Sequence, residues 1–290
     1  MRYEGTVYRP PSEANSVLIQ CTIGCPHNRC TFCPMYKGTQ FRIRPVADIL
    51  EDLRSAREYY GDGVKTMFLP DGNTILMKTD QLIVILEEAR RLFPRLERIT
   101  VYGSARYINL KTSADLVRLK AAGLNRIHSG MESGDDGVLA MLQKGATAGE
   151  IVEAGLKVKQ AGIELSEYVL IGAGGLHHSR EHALGSAAVL NSIEPDFIRV
   201  RTLVPIPGTP LYEDYRQGKF TLLTPHQALE ETKLLIGALT CRSMFYSDHY
   251  SNYAYVNGRL PDDKPVMLQT VDKLLQIPES EFRPPAEGSL

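Results

Sequence analysis

The sequence predicts an α/β fold, a partial TIM-type (β/α)6 barrel with a C-terminal extension, on three observations. Six short apolar runs recur between residues 16 and 203, turn-forming residues close each of them, and stretches with apolar positions at helical spacing separate them. Strand-then-helix units in succession require parallel strands joined by right-handed crossovers. Eight such units close a barrel, so six leave it open. Ligands in such folds gather beyond the carboxyl ends of the strands, which puts every closing loop on the functional side.

Each element has a local justification. Residues 1–13 are polar and proline-containing and form a leading arm, and Ser16–Cys21 is the first strand. The cysteine-rich stretch Gln20–Arg42 follows, and Pro45 opens a helix whose apolar positions Ile49, Leu50 and Leu53 share one face. Val64–Leu69 is the second strand, Pro70-Asp-Gly-Asn73 its turn, and Lys78–Leu92 an amphipathic helix. Arg98–Tyr102 ends in Gly103-Ser-Ala-Arg106, and Ser113 is placed to cap the helix of Leu116 and Leu119. Leu124–Ser129 is closed by Gly130-Met-Glu-Ser-Gly134, with helical material to Gln160 broken near Gly145. Ile163–Ile171 runs into Gly172-Ala-Gly-Gly175 and the helix Ser179–Leu190; Phe197–Leu203 is followed by the proline-rich stretch Pro205–Pro210.

Beyond residue 215 the pattern changes. Thr224 caps, and Pro225 begins, a helix to Leu239. Met244–Tyr255 is dense in aromatic and polar groups and lacks a core helix's period. It reads either as a packed surface loop or as a segment that closes the open end of the barrel and meets substrate. Residues 260–290 are rich in proline and acidic groups, with one short helical pattern at Val271–Leu275. The expected organisation is an arm over 1–13, a barrel over 14–215 and a covering extension over 216–290.

Four of the five cysteines, Cys21, Cys25, Cys30 and Cys33, lie within thirteen residues. Four residues separate Cys25 from Cys30, and only Thr31 and Phe32 separate Cys30 from Cys33, while Gly24, Pro26 and Asn28 supply turn chemistry. Crowded thiolates repel each other unless a metal neutralises them, and an all-sulfur set selects zinc, copper(I) or an iron–sulfur cluster. Structural zinc wants four closed ligands. Three close cysteines suit instead a cluster with one iron left open; zinc stays as the structural alternative, and Cys21 as an alternative first ligand. The start Met1-Arg-Tyr-Glu-Gly shows no signal-peptide pattern, so a cytoplasmic location is expected, where such spacing favours metal over disulfides. No apolar stretch approaches the length of a membrane span. A net charge of −1 provides no strongly basic field for nucleic acid, and with no added RNA-binding or cobalamin-binding module expected in 290 residues a small molecule is the first expected substrate, with a nucleic acid or peptide behind it.

The stretch Cys25-Pro-His-Asn-Arg-Cys30-Thr-Phe-Cys33 resembles the radical S-adenosylmethionine (SAM) superfamily, whose signature is three cysteines with an aromatic residue before the last, here Phe32. It departs from the common form by one extra residue between the first two ligands. Over residues 14–215 the chain is similar to the branch that includes the Elongator catalytic subunit, methylthiotransferases and coproporphyrinogen dehydrogenase. The resemblance implies a 4Fe–4S cluster on Cys25, Cys30 and Cys33, and SAM bound to it. It puts Asp71, Gly72 and Asn73 at the amino group of SAM, in place of the family's usual Gly-Gly-Glu. Ser104 and Arg106 fall at the carboxylate and ribose, Glu132 and Ser133 at the ribose or amino group, and Gly172 and Gly174 where backbone approaches the adenine. The implied reaction is reductive, oxygen-sensitive cleavage of SAM to a 5′-deoxyadenosyl radical that abstracts hydrogen from substrate. A reducing partner such as flavodoxin or ferredoxin would supply the electron. Cys241 alone cannot carry a second cluster. A zinc-stabilised binding protein and a non-catalytic barrel are the other classes considered. Lys37, Arg42 and Arg44 are either anion contacts or solvated surface. His177, His178, His182 and His249 are substrate-side candidates, set against the plainer reading of structural histidines.

Overall fold

The computed structural model of the protein describes residues 1–253 and 255–283. Ala254, in the aromatic segment, and residues 284–290 of the expected extension lie outside the described residues.

The chain divides into two compact units, the first made of Met1–Asn28, Met35–Ser129 and Leu156–Leu165. It opens with β1 (Val17–Leu18), β2 (Thr22–Ile23), β3 (Arg42–Ile43), α1 (Val46–Tyr60), β4 (Thr66–Leu69), α2 (Thr79–Leu92) and β5 (Arg98–Tyr102). The short helix α3 (Ala105–Ile108), α4 (Ser113–Ala121) and the start of β6 (Arg126–Glu132) follow. β1, β4, β5 and β6 pair in parallel, with Val17 opposite Met67, Met67 opposite Ile99 and Val101 opposite Ile127. Met67, Phe68, Leu69, Ile99, Val101 and Ile127 are fully buried. Burial on both faces is why these strands read as continuous apolar runs instead of alternating ones.

The first strand is shorter than the expected Ser16–Cys21. After Ile19, whose N–H donates to Phe68, the backbone leaves the sheet: β2 pairs antiparallel with β3, and the Cys21 carbonyl accepts the Arg44 N–H. Ser113 is not the cap of α4. Thr112 is, because its hydroxyl accepts the Asp115 N–H at 3.0 Å while the Asp115 carboxylate accepts the Thr112 N–H at 3.2 Å, a reciprocal box that Ser113 has no partner to form.

The second unit holds Arg29–Pro34, Gly130–Gly155 and the chain from Ser166 onward. Its elements are the end of β6, α5 (Asp136–Met141), α6 (Ala148–Gln160), β7 (Glu164–Ile171), α7 (Ser179–Ile193), β8 (Phe197–Thr202), α8 (Pro210–Arg216) and α9 (Pro225–Ala238), then β9 (Ser243–Tyr246), β10 (Gly258–Leu260) and α10 (Lys264–Leu274); β7 begins, and α6 ends, in the first unit. Thr224 and Pro225 take the cap and first position of α9 as expected, with Gln227 completing a capping box. An apolar cluster of Val138, Leu142, Leu170, Ala173, Leu203, Leu211 and Phe220 is its core on the loop side.

The sheet has the order β1-β4-β5-β6-β7-β8-β9-β10, mostly parallel and laid down in chain order as a (β/α) succession demands. It exceeds the expected six strands. The aromatic segment, expected as a surface loop or as a closing segment, begins within β9, which runs parallel to β8 with Ile198 opposite Phe245, and β10 returns antiparallel beside it. Its alternating burial, with Ser243 and Phe245 inward, spans only four residues, too few to stand out among flanking aromatics. Among the described residues no helix is long and apolar enough to cross a membrane.

Candidate active site

In the first unit the β2–β3 ribbon clamps the base of the cysteine loop. Gly72, after β4, donates its N–H to the Gly24 carbonyl at 3.0 Å, and a Cβ there would lie 2.6 Å from the Cβ of Cys25. Only glycine lets Cys25 sit against that turn. Asp71 is buried: it accepts the Gln20 amide at 2.7 Å and the Tyr36 hydroxyl at 3.2 Å. Burial pushes its carboxyl up to about 6, against the pull of those bonds. Its side chain therefore ties the loop's entry to its far limb. Asn73 takes the Ser104 N–H on its Oδ1 at 2.7 Å, which turns its Nδ2 to donate to the Cys25 sulfur at 3.8 Å. Ser104 is the N-cap residue of α3, and Arg106 is exposed on that helix. Cys21 is fully buried, and burial pushes its thiol up to about 12. A thiol that keeps its proton is a poor metal ligand.

The second unit holds Cys30, Phe32 and Cys33. Thr31 is stitched on both sides, its N–H to Leu142 at 2.9 Å and its carbonyl from Leu211 at 3.0 Å, while Phe32 packs on the apolar cluster. The aromatic residue before the last cysteine is thus a packing anchor. Lys144 donates to the Glu132 Oε1 at 3.1 Å. Burial would lower its affinity for a proton, but the Glu132 carboxylate and the nearby Cys30 and Cys33 raise it, so the ammonium stays charged. Its ammonium is therefore held in the neighbourhood of both cysteines. Glu132, itself in the left-handed region at φ +64°, leaves its Oε2 buried without a hydrogen-bond partner. Such an orphan acceptor suits a donor from a bound molecule.

Ser133 is fully buried with its hydroxyl engaged inside the protein, receiving the Asp135 N–H at 3.0 Å and lying 2.9 Å from Nδ1 of His182. Asp135 caps α5 through the Val138 N–H, so the acidic stretch also serves the helix. Gly172 has φ +82°, and a Cβ on Gly174 would meet the His178 carbonyl at 2.6 Å.

The first unit thus gathers Cys25, Asp71, Gly72, Asn73 and Ser104, and the second Cys30, Phe32, Cys33 and Glu132 around Lys144. All five cysteines are thiols. Among the described residues no group of three or more His, Cys, Asp or Glu side chains forms a ready-made site for a metal ion. Of the basic residues near the loop, Arg44 is buried against Asp52 at 2.7 Å, Arg42 pairs with Glu4, and Lys37 donates to the Asn28 carbonyl, so all three serve the fold. His177 and His178 are exposed, His182 is fully buried, and His249 is held to about 4 by burial, then by Arg201. Sequence reasoning missed Lys144, Gln20, Tyr36 and Glu231. Each acts across a gap in the chain that no local pattern marks.

A family model described as "Radical SAM superfamily" matches residues 19–184. Among curated relatives, a biotin synthase of Anaeromyxobacter is 27% identical over 190 residues, covering 64% of this chain and 49% of that protein. The chain spans about half the length of the curated relatives it matches. Among solved structures, methylornithine synthase aligns with a TM-score of 0.55 at 18% identity over 88% of this chain and 68% of that one. Coproporphyrinogen III oxidase of Escherichia coli, described as a radical SAM enzyme, gives 0.57 at 18% over 77% and 51%. Likeness at such identities speaks to the fold.

Proposed function

The chain belongs to the radical SAM superfamily, and from that premise we propose that Cys25, Cys30 and Cys33 hold its 4Fe–4S cluster with one iron open to SAM, for hydrogen abstraction from a small-molecule substrate. The cluster and SAM are the cofactors of this family. When bound and reduced, they supply the electron transfer that breaks a carbon–sulfur bond of SAM to give methionine and a 5′-deoxyadenosyl radical. The protein's own residues position and insulate. Lys144 offsets the negative charge gathered at Cys30 and Cys33. Asn73 holds Cys25 by its sulfur, and Asp71 holds the loop beneath it. Glu132 offers its orphan Oε2 to an ammonium or hydroxyl of SAM, and the Gly172–Gly175 backbone faces the adenine. A flavodoxin or ferredoxin is the class of reductant such a site takes.

One observation carries this reading: a buried lysine placed beside two cysteines and a half-satisfied carboxylate has no use in a plain structural turn. The test is anaerobic reconstitution with iron and sulfide, followed by reductant and SAM. Brown protein with about four irons per chain and 5′-deoxyadenosine among the products is the expected result. Zinc in place of a cluster, or a cluster retained after Cys25, Cys30 and Cys33 are all changed to alanine, would overturn it. Methylthioadenosine as the nucleoside product would overturn the assigned bond cleavage.

A further inference from the structure

α9 lies beyond the stretch that the family model matches, yet it sends a carboxylate to the loop after β7. Glu231 is 2% exposed, on a helix face whose other buried residues include Ala228, Leu229, Leu235 and Ile236. Its Oε1 accepts the Gly172 N–H at 2.6 Å, and its Oε2 accepts the Ser179 hydroxyl at 2.5 Å. Within the loop, Ala173 donates to Leu170 and Gly175 to Gly172, both at 2.9 Å. Gly172 donates instead to a side chain fifty-nine residues later. Ser179 is the first residue of α7, and the residue before it, His178, makes no side-chain cap bond. A carboxylate from another helix therefore stands beside this N-terminus, held by the Ser179 side chain.

The chain of contacts goes further. The Nε2 of His182, one turn into α7, packs 3.5 Å from the Glu231 Oε1 without a hydrogen bond, and its Nδ1 lies 2.9 Å from the Ser133 hydroxyl. A buried carboxylate costs far more than a leucine on such a face. Neutral partners do not cancel that cost: burial pushes Glu231 up to about 7 and His182 down to about 4, so the two do not form a charged pair.

We propose that Glu231 is a positioning residue for SAM: it fixes the Gly172–Gly175 loop through the Gly172 N–H and, by way of His182, steadies Ser133 in the loop after β6. The inference rests on the proposed assignment of those two loops to SAM. It makes α9 part of the cofactor site, and it asks of residue 231 an acceptor for the Gly172 N–H and a hydrogen-bond partner for the Ser179 hydroxyl, not a charge. Glutamine keeps the acceptor for Gly172 and a partner for Ser179; alanine keeps neither.

The test uses the full chain, anaerobically reconstituted, as wild type, Glu231→Gln, Glu231→Ala and Ser179→Ala. Iron content and visible absorption report the cluster. SAM is then titrated by the change it makes in the EPR spectrum of the reduced cluster. All four proteins are expected to hold the same iron. Glu231→Ala is expected to need about tenfold more SAM, Ser179→Ala about threefold more, and Glu231→Gln about as much as wild type, given roughly 0.7 kcal/mol per buried hydrogen bond. Wild-type titration in Glu231→Ala or in Ser179→Ala overturns the proposal, as does a Glu231→Gln defect as large as that of alanine. Should Glu231→Ala fail to fold, Ser179→Ala and Glu231→Gln decide. A wild-type cluster whose spectrum ignores SAM overturns the functional reading itself, whereas a wild type that responds and an alanine variant that titrates alongside it overturn the role of Glu231 alone.

Discussion

Glu13, in the first unit, and Glu231, in the second, are both buried carboxylates beside a buried histidine, yet they ionise in opposite directions. Glu13 lies 3.1 Å from Nε2 of His128, accepts the Ser16 hydroxyl at 2.5 Å and meets the Arg98 guanidinium at 3.3 Å. Burial alone would push its carboxyl up. The bond to His128 and that residue's charge, then Ser16 and Arg98, outweigh it and hold Glu13 at about 2. Glu231 has an N–H, a hydroxyl and a neutral imidazole around it, and there burial wins. A buried acid is charged where a cation faces it; dipoles alone leave it near neutrality. The first arrangement pins the leading arm to β5 and β6. The second holds a loop in place without committing to a charge.

The largest effect that separates the two is on stability. Glu13→Ala leaves buried His128 and half-buried Arg98 without their anion and is expected to cost about 3 kcal/mol in urea unfolding. A loss under about 1 kcal/mol would erase the distinction between the sites.

The pH dependence should divide next. Glu13 has a folded pKa below its ordinary 4.5, so its contribution is complete above pH 4.5 and is lost as pH falls toward 2, about 3 kcal/mol across the window. Glu231 has a folded pKa above 4.5, so its contribution is complete below pH 4.5 and is lost as pH rises through 7. His182, facing it, works the other way and loses stability as pH falls from 6.5 toward 4. Comparing Glu231→Gln with wild type cancels that histidine term. The variant should gain on wild type as pH rises from 4.5 through about 7, while Glu13→Gln should fall behind it as pH rises from about 2 to 4.5 and keep a constant deficit above that. Unfolding curves of the two variants that run parallel to wild type from pH 3 to 8 would contradict both assignments.

The smallest difference lies in the histidines. His128→Gln removes a bond to a charged partner and should cost about 2 kcal/mol; His182→Gln, which replaces a neutral contact, should cost about 1. Equal losses in thermal or urea melts would erase the difference between the two contacts.

Much of the fold was legible because its signals are local. Arg98–Tyr102 is found as expected, and the strand starts at Val64, Leu124 and Ile163 move inward by one or two residues. Thr224 with Pro225 marks a helix start that needs no tertiary partner. The family inferred from the cysteine stretch is the one whose model matches residues 19–184. What escaped was non-local or too short for a period. The strands β9 and β10 have four and three residues, and α8 hides in a proline-rich run. The capping of α4 turned on Asp115 accepting from one neighbour and not the other.

Spacing alone determined that four cysteines crowd one short stretch and that glycine and acidic loops follow successive strands, and the resemblance those cysteines carry pointed to the family, because ligand type and turn chemistry depend on near neighbours in sequence. Which carboxylates carry charge was decided only by folding. Glu13 and Glu231 look alike along the chain, and their difference arises from an arginine or a serine brought alongside from elsewhere, since the energy of an ion depends on what surrounds it in space.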